Sequence, residues 1–327
     1  MILYMIICRR ADLAIEETCL PFTYNNFAIM SPSVVVLPGA GKQGRLVTQA
    51  LLKQGLPVHS LVRDLSSVAS KELGAAGANL YAGDLGDEAS INNALKGIEV
   101  MFLALPAHPT QEIQFAENAI NAAKAQGVKQ IIYTSVARTG QHLDFPFWSD
   151  NYPMSWYWKN KQRIEDLLRA HFEHLTILRP AFFMQNFCSP EVNYMFPGLT
   201  DSSHTLSVPF DSDTKFDLID IKDIANFVVA AIQDPQRFSG KEIELAGDSL
   251  TAHEIAHVLG ELSGHNISVN LISREESSNR TAAGDLVMLA LEFQREYGYG
   301  VSLNQARSWG VPLKLFSEAL AQDELEW

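Results

Sequence analysis

Cysteine is scarce in this chain, and the three present, Cys8, Cys19 and Cys188, show no metal-ligand spacing. A small, odd number gives no disulfide framework; it fits a reduced, intracellular protein, with the cytoplasm as the expected compartment. Basic residues are also in short supply. Lys and Arg number 25 against 38 Asp and Glu, for a formal net charge of -13 and a pI near 5.1. That balance excludes a general nucleic-acid or anionic-membrane surface, because phosphate binding needs clustered cations, and any basic site must be local. Long hydrophobic runs are absent as well. Met1 to Cys8 is apolar but too short to cross a bilayer, lacks a preceding basic segment and is followed by Arg9-Arg10, so it resembles neither a signal peptide nor a membrane span. There is no fixed-period repeat and no low-complexity tract.

What is present is enough apolar material for one large or two modest cores: 47% of 327 residues are hydrophobic. Residues 1–30 are expected to lie outside the fold, since Met30 stands just ahead of the first strand and nothing before it joins the pattern that follows. That pattern begins with Val34, Val35, Val36 and Leu37, a β-branched run suited to a strand buried on both faces. Gly39, Gly41 and Gly44 follow as G-x-G-x-x-G, then an amphipathic helix from Arg45 to Gln54, then a second strand from Val58 to Val62. In that order the first glycine permits a tight turn, the second lets backbone approach a pyrophosphate and the third lets helix pack on strand. The helix N-terminus then faces the phosphates.

Alternation continues with strands expected at Ala78–Ala82, Val100–Leu105 and Gln130–Ser135, and helices at Ala69–Leu73, Glu88–Leu95 and Gln111–Gln126. Such βαβ units predict an α/β fold, a doubly wound parallel sheet with ligands outside the carboxyl ends of its strands. The second half reads as a helix over Trp156–His171, a strand at Leu175–Leu178, a loop-rich stretch from Ser189 to Ser212, and further strands and helices with a mostly helical tail. A dinucleotide-binding domain over residues 31–186 and a smaller C-terminal α+β substrate or lid domain over 187–327 is expected, with some of its strands free to rejoin the main sheet.

The run VVVLPGAGKQGRLV, the LVRD after the second strand, GDLGD at Gly83 to Asp87, TSV at Thr134 to Val136, KNKQRIEDLLR and LRPAFFMQNF together resemble the NmrA-like group of atypical short-chain dehydrogenases/reductases over roughly residues 31–325. The resemblance implies an NADP-binding Rossmann domain with a smaller C-terminal domain. Its members include NAD(P)H-dependent reductases and catalytically silent redox sensors that bind regulatory partners. It also implies that Asp84-Leu85 lies beside the adenine and Leu105-Pro106 along the cofactor.

Charge argues the cofactor's type. An acidic residue after the second strand suits the ribose 2′-OH of NAD, whereas arginine suits the 2′-phosphate of NADP. Arg63 holds that place, and the glycine loop (Gly39, Gly41, Lys42, Gln43, Gly44) adds Lys42 as a second cation, so NADP(H) is expected in preference to NAD(H). Asp64 one residue on argues the other way, and Arg63 also reads as a solvated strand-end charge.

Tyr157 and Lys161 are four apart on a predicted helix and therefore share a face. A phenol titrates near ~10, so proton transfer at neutrality calls for a nearby cation, which Lys161 can supply. Ser135 at the end of the fifth strand is placed to steady an oxyanion, completing the Ser, Tyr-x-x-x-Lys arrangement of short-chain dehydrogenases. Many NmrA-like members lack the tyrosine. Between Trp156 and Trp158, Tyr157 reads equally as an aromatic anchor.

His253-Glu254-Ile255-Ala256-His257 spells H-E-x-x-H, a zinc-protease motif when carried on a helix. The third histidine of the longer pattern would occupy position 263, which is Ser263, so no metal is expected. His142, Trp148, Phe182, Phe183 and Phe187, with Phe145 and Phe147, are expected to line a pocket for a small apolar or aromatic substrate. The leading expectation is an NADPH-dependent reductase of a carbonyl, quinone or related conjugated molecule; the rival is an NADP-sensing regulator with a protein partner. Fold cannot separate them.

Overall fold

The computed structural model describes residues 31–321 and Leu325, and the expectation about residues 1–30 lies outside them. Strands β1 (Val34–Leu37), β2 (Val58–Val62), β3 (Asn79–Ala82), β4 (Val100–Leu103), β5 (Gln130–Thr134) and β6 (Leu175–Pro180), with the strand Lys241–Leu245, make a parallel seven-stranded sheet. Its order is Lys241–Leu245, β6, β5, β4, β1, β2, β3. The direction of winding reverses between β1 and β4, which is where a ligand crevice opens in such sheets.

Successive side chains of a strand face opposite ways, and each face here has its own helices. Val35 and Leu37 of β1, with Met101, Leu103, Ile131 and Tyr133, pack against α3 (Glu88–Ala94), α4 (Glu112–Gln126) and α5 (Ser155–His171). Val34 and Val36, with Phe102, Ile132 and Leu178, pack against α1 (Lys42–Lys53) and the helix Ile221–Gln233. Thus the chain beyond residue 187 contributes a helix and an edge strand to the main layers. The remainder builds a separate core around Phe196, Phe216, Leu259 and Phe316. Around it lie a three-stranded sheet of Asp248–Leu250, Phe216–Ile219 and Phe182–Phe183 and a parallel pair, Thr205–Val208 with Ser268–Leu271.

Phe187 belongs to this second core. It is 0% exposed and stacks on Phe196 with ring centroids 4.5 Å apart, so its expected place in a substrate pocket is corrected to a packing role.

A buried polar junction ties the tail to the helix Ile221–Gln233. Asp220 receives Gln185 and the Lys314 ammonium at 2.9 and 2.8 Å, while Asp223 accepts the Lys314 backbone N–H at 2.7 Å. Burial, the largest cause, raises the Asp223 carboxyl from 3.8 to about 6 against the pull of the Lys314 N–H. A folded pKa above the unfolded one means that the folded state holds its proton longer, so the associated stability is full below about 4 and is lost as pH rises through about 6. Asp223→Asn should remove that slope: between pH 4 and 7 the variant should lose about 2–3 kcal/mol less than the wild type in urea titrations. Parallel curves for the two proteins would refute the assignment.

Candidate functional site

The glycine loop follows β1, and α1 begins at Lys42 rather than Arg45, so Gly44 lies inside the first turn of the helix. A Cβ on Gly44 would stand 1.9 Å from the Pro38 carbonyl oxygen, and one on Gly39 would stand 2.5 Å from Ser60 Cβ. Both glycines are therefore demanded by close packing of β1, α1 and β2. A Cβ on Gly41 would meet only Pro38, at 3.3 Å and beyond. The helix N-terminus has no side-chain cap and no acidic residue in its first turn, which suits its N–H groups to an anion. These features fit a dinucleotide pyrophosphate. Lys42 is used otherwise: its ammonium lies 2.8 Å from Glu191 and 3.4 Å from Asn186 Oδ1, linking the loop to the segment after Phe187.

At the end of β2, Arg63 is exposed and has no ion-pair or hydrogen-bond partner among the described residues. Asp64 is turned away from it. Its Oδ1 accepts both the N–H and the hydroxyl of Ser66, at 2.7 and 2.6 Å, and these bonds lower its pKa. Asp84 folds back in the same manner onto the Gly86 N–H at 2.7 Å, with Leu85 buried beneath and Leu105 buried after β4; Pro106 is exposed.

The chemical centre is organised by an acid that sequence reasoning missed. Lys161 on α5 reaches Glu112 in the first turn of α4 at 2.7 Å, with side chains only 5% and 0% exposed. Asn160 donates to Glu112 Oε2 at 3.4 Å and to the His108 carbonyl at 3.2 Å. Tyr157 lies one turn before Lys161, whose ammonium sits 5.6 Å from the phenol ring centroid. The expectation that Lys161 acidifies this phenol is corrected. Burial, then Tyr299 and Glu112, push the Tyr157 pKa well above its ordinary value, and the lysine charge is itself balanced by a carboxylate. Ser135 is buried, and its Oγ lies 3.1 Å from Thr139 Oγ1. Thr139 gives its one hydrogen to the Val136 carbonyl, so the Ser135 hydrogen goes to Thr139. The three residues share the carboxyl edge of the sheet without a hydrogen bond between Ser135 and Tyr157.

An aromatic cover closes this edge. Phe145, Trp158 and Phe293 form its buried centre, with Tyr157, Tyr297 and Tyr299 against them. The residues 293–299 come from the C-terminal region, where their sequence carries no motif. His142 packs on Trp148 with centroids 4.5 Å apart, and its pKa is lowered by burial and then Lys159. Phe182 packs in the second core and Phe183 against the main-sheet core. Beside this cover the buried Arg138 Nε, over the Tyr297 ring, and His142 Nδ1, on Trp148, have no hydrogen-bond partner among the described residues. His253 and His257 are exposed on the helix Ala252–Ser263, whose capping box uses Glu254 to accept the Thr251 N–H at 2.7 Å. That carboxylate, with Lys215 also on it, is lowered to about 2. The H-E-x-x-H string is a helix start, and among the described residues no group of three acidic, histidine or cysteine side chains could hold a metal.

A model of the NmrA-like family matches residues 30–308. An NAD(P)H azoreductase of Xenophilus azovorans is 28% identical over 244 residues, 75% of this chain and 78% of that protein. Quinone oxidoreductase 2 of Escherichia coli strain K12 is 27% identical over 246 residues, 74% of this chain and 79% of that protein. The crystal structure of NmrA, a negative transcriptional regulator in complex with NADP, superposes with a TM-score of 0.71 at 19% identity, covering 90% of this chain and 96% of that one. That last likeness concerns the fold.

Proposed function

From the premise that this chain belongs to the NmrA-like family, we propose that it is an NAD(P)H-dependent reductase of a quinone, carbonyl or related conjugated acceptor, with NADPH preferred. The observation that carries the reading is the pairing of an uncapped, acid-free α1 N-terminus with a partnerless Arg63, while Asp64 is held by Ser66. Relatives named for azo and quinone reduction support the acceptor class. Bound nicotinamide supplies the hydride. The glycine loop grips the pyrophosphate and Arg63 the 2′-phosphate. Lys161, ion-paired with Glu112, holds the ribose hydroxyls through its N–H donors. The aromatic cover excludes water from the acceptor, and Tyr157 or a pocket water gives the proton.

The test is NADPH oxidation by the purified protein across a panel of quinones, aldehydes and azo dyes. Arg63→Ala should weaken NADPH binding by about 10- to 100-fold and NADH binding little, since a charge-assisted hydrogen bond contributes about 1.5–3 kcal/mol. Equal losses in titration calorimetry would remove Arg63 from the site. One observation favours the rival reading of a cofactor-sensing protein that binds a regulatory partner: Ser135, Tyr157 and Lys161 are not joined into a hydrogen-bonded relay. Tight NADPH binding with no turnover of any acceptor would favour it.

A further inference from the structure

His108 lies in the loop between β4 and α4, part-exposed, at the carboxyl edge of the sheet. Its Nδ1 accepts the backbone N–H groups of Thr110 and Gln111 at 3.2 and 3.1 Å, with Thr110 Oγ1 at 3.3 Å. A ring nitrogen that accepts two main-chain donors carries no hydrogen, so the imidazole hydrogen is on Nε2. The residue is also fixed through its carbonyl, which takes the Asn160 amide at 3.2 Å; the same amide reaches Glu112, which holds Lys161. His108 is therefore tied on one side to the turn entering α4 and on the other to the residue next to Lys161, with its Nε2–H unpartnered among the described residues.

Resting on the reductase reading, we propose that His108 is the electrophilic hydrogen-bond donor of the site, its Nε2–H directed at the acceptor oxygen as negative charge develops there. Ser135 as placed is already bonded to Thr139. A neutral imidazole fixed at the entrance to a helix is a known solution to carbonyl polarisation, because it donates strongly and keeps its hydrogen. In the balanced step the acceptor gains two electrons and one hydrogen as hydride from NADPH, and one proton from Tyr157 or water. His108 loses nothing; it lowers the energy of the oxyanion between those two gains.

The experiment uses the full chain and separates this role from support of the loop. Asparagine at position 108 can place Oδ1 where Nδ1 accepts the two N–H groups; its own amide donors then stand in the place of Cδ2, short of the position from which Nε2–H reaches. His108→Asn should leave the melting temperature and NADPH affinity near wild type while kcat for a quinone falls about 10²- to 10³-fold with KM little changed, the usual effect of removing one oxyanion donor. His108→Ala, which loses the loop contact too, should add a loss of melting temperature. Wild-type turnover by His108→Asn would overturn the inference alone. A wild-type protein that binds NADPH but reduces no acceptor would overturn the reductase reading and this inference with it.

Discussion

Glu112→Ala is expected to destabilise the fold by about 3–5 kcal/mol, because it leaves the Lys161 ammonium buried without its counter-charge. The pair is 2.7 Å apart and almost wholly shielded from water, with Glu112 fully buried and Lys161 nearly so. Removing Lys161 alone should cost a similar amount, since Glu112 is then the stranded charge. The double change Glu112→Leu with Lys161→Met should recover most of the loss, because a buried ion pair replaced by apolar groups of similar volume is often neutral in stability. Urea denaturation of the wild type, Glu112→Leu, Lys161→Met and the double variant completes the cycle. If the two single variants unfold at the wild-type midpoint, the pair is open to water in solution and the site is wetter than this packing allows. The same cycle has a functional arm: the double variant should fold yet bind NADPH weakly, having lost the ammonium that is asked to hold the ribose.

The legible and illegible parts of this molecule differ in the distance between cause and effect along the chain. β1, the glycine loop, α1 and β2 are dictated by neighbours in sequence and so can be read there; α1 starts three residues before its sequence pattern does, because Gly44 reads as loop and only its packing against Pro38 puts it in the helix. Thr205–Val208 is a strand inside the stretch that reads as loop. It is four residues long, follows a proline-rich stretch and pairs with Ser268–Leu271 some sixty residues away. Glu112 was hidden for a similar reason: an acid in the first turn of a helix reads as a partner of the helix dipole, and its real partner is 49 positions later on α5. Asp64 reads as a rival to Arg63 in sequence, whereas in the fold Ser66, two residues on, takes its carboxylate. Phe187 reads as pocket lining by its aromaticity, a property it shares with the core it occupies.

Tyr157→Phe is expected to reduce turnover by about 10²- to 10⁴-fold, the range for positioned acid–base groups, with NADPH affinity nearly unchanged. Phenylalanine keeps the ring against Trp158, at 5.5 Å between centroids, and against the Lys161 ammonium, so packing is preserved and only the hydroxyl is lost. The pH dependence carries the sharper information. An acidified tyrosine would impose a fall in rate near neutrality as its proton left, but here burial, Tyr299 and Glu112 all push the phenol upward, so it stays protonated across the physiological range. The wild-type kcat should therefore show no loss assignable to this group between about pH 6 and 9, and the phenylalanine variant should run parallel beneath it. A wild-type fall centred near neutrality that the variant lacks would mean that Lys161 acidifies the phenol after all and that its bond to Glu112 opens when cofactor binds. If Tyr157→Phe turns over quinone at the wild-type rate, Tyr157 is a strut of the aromatic cover, and the proton reaches the product from water.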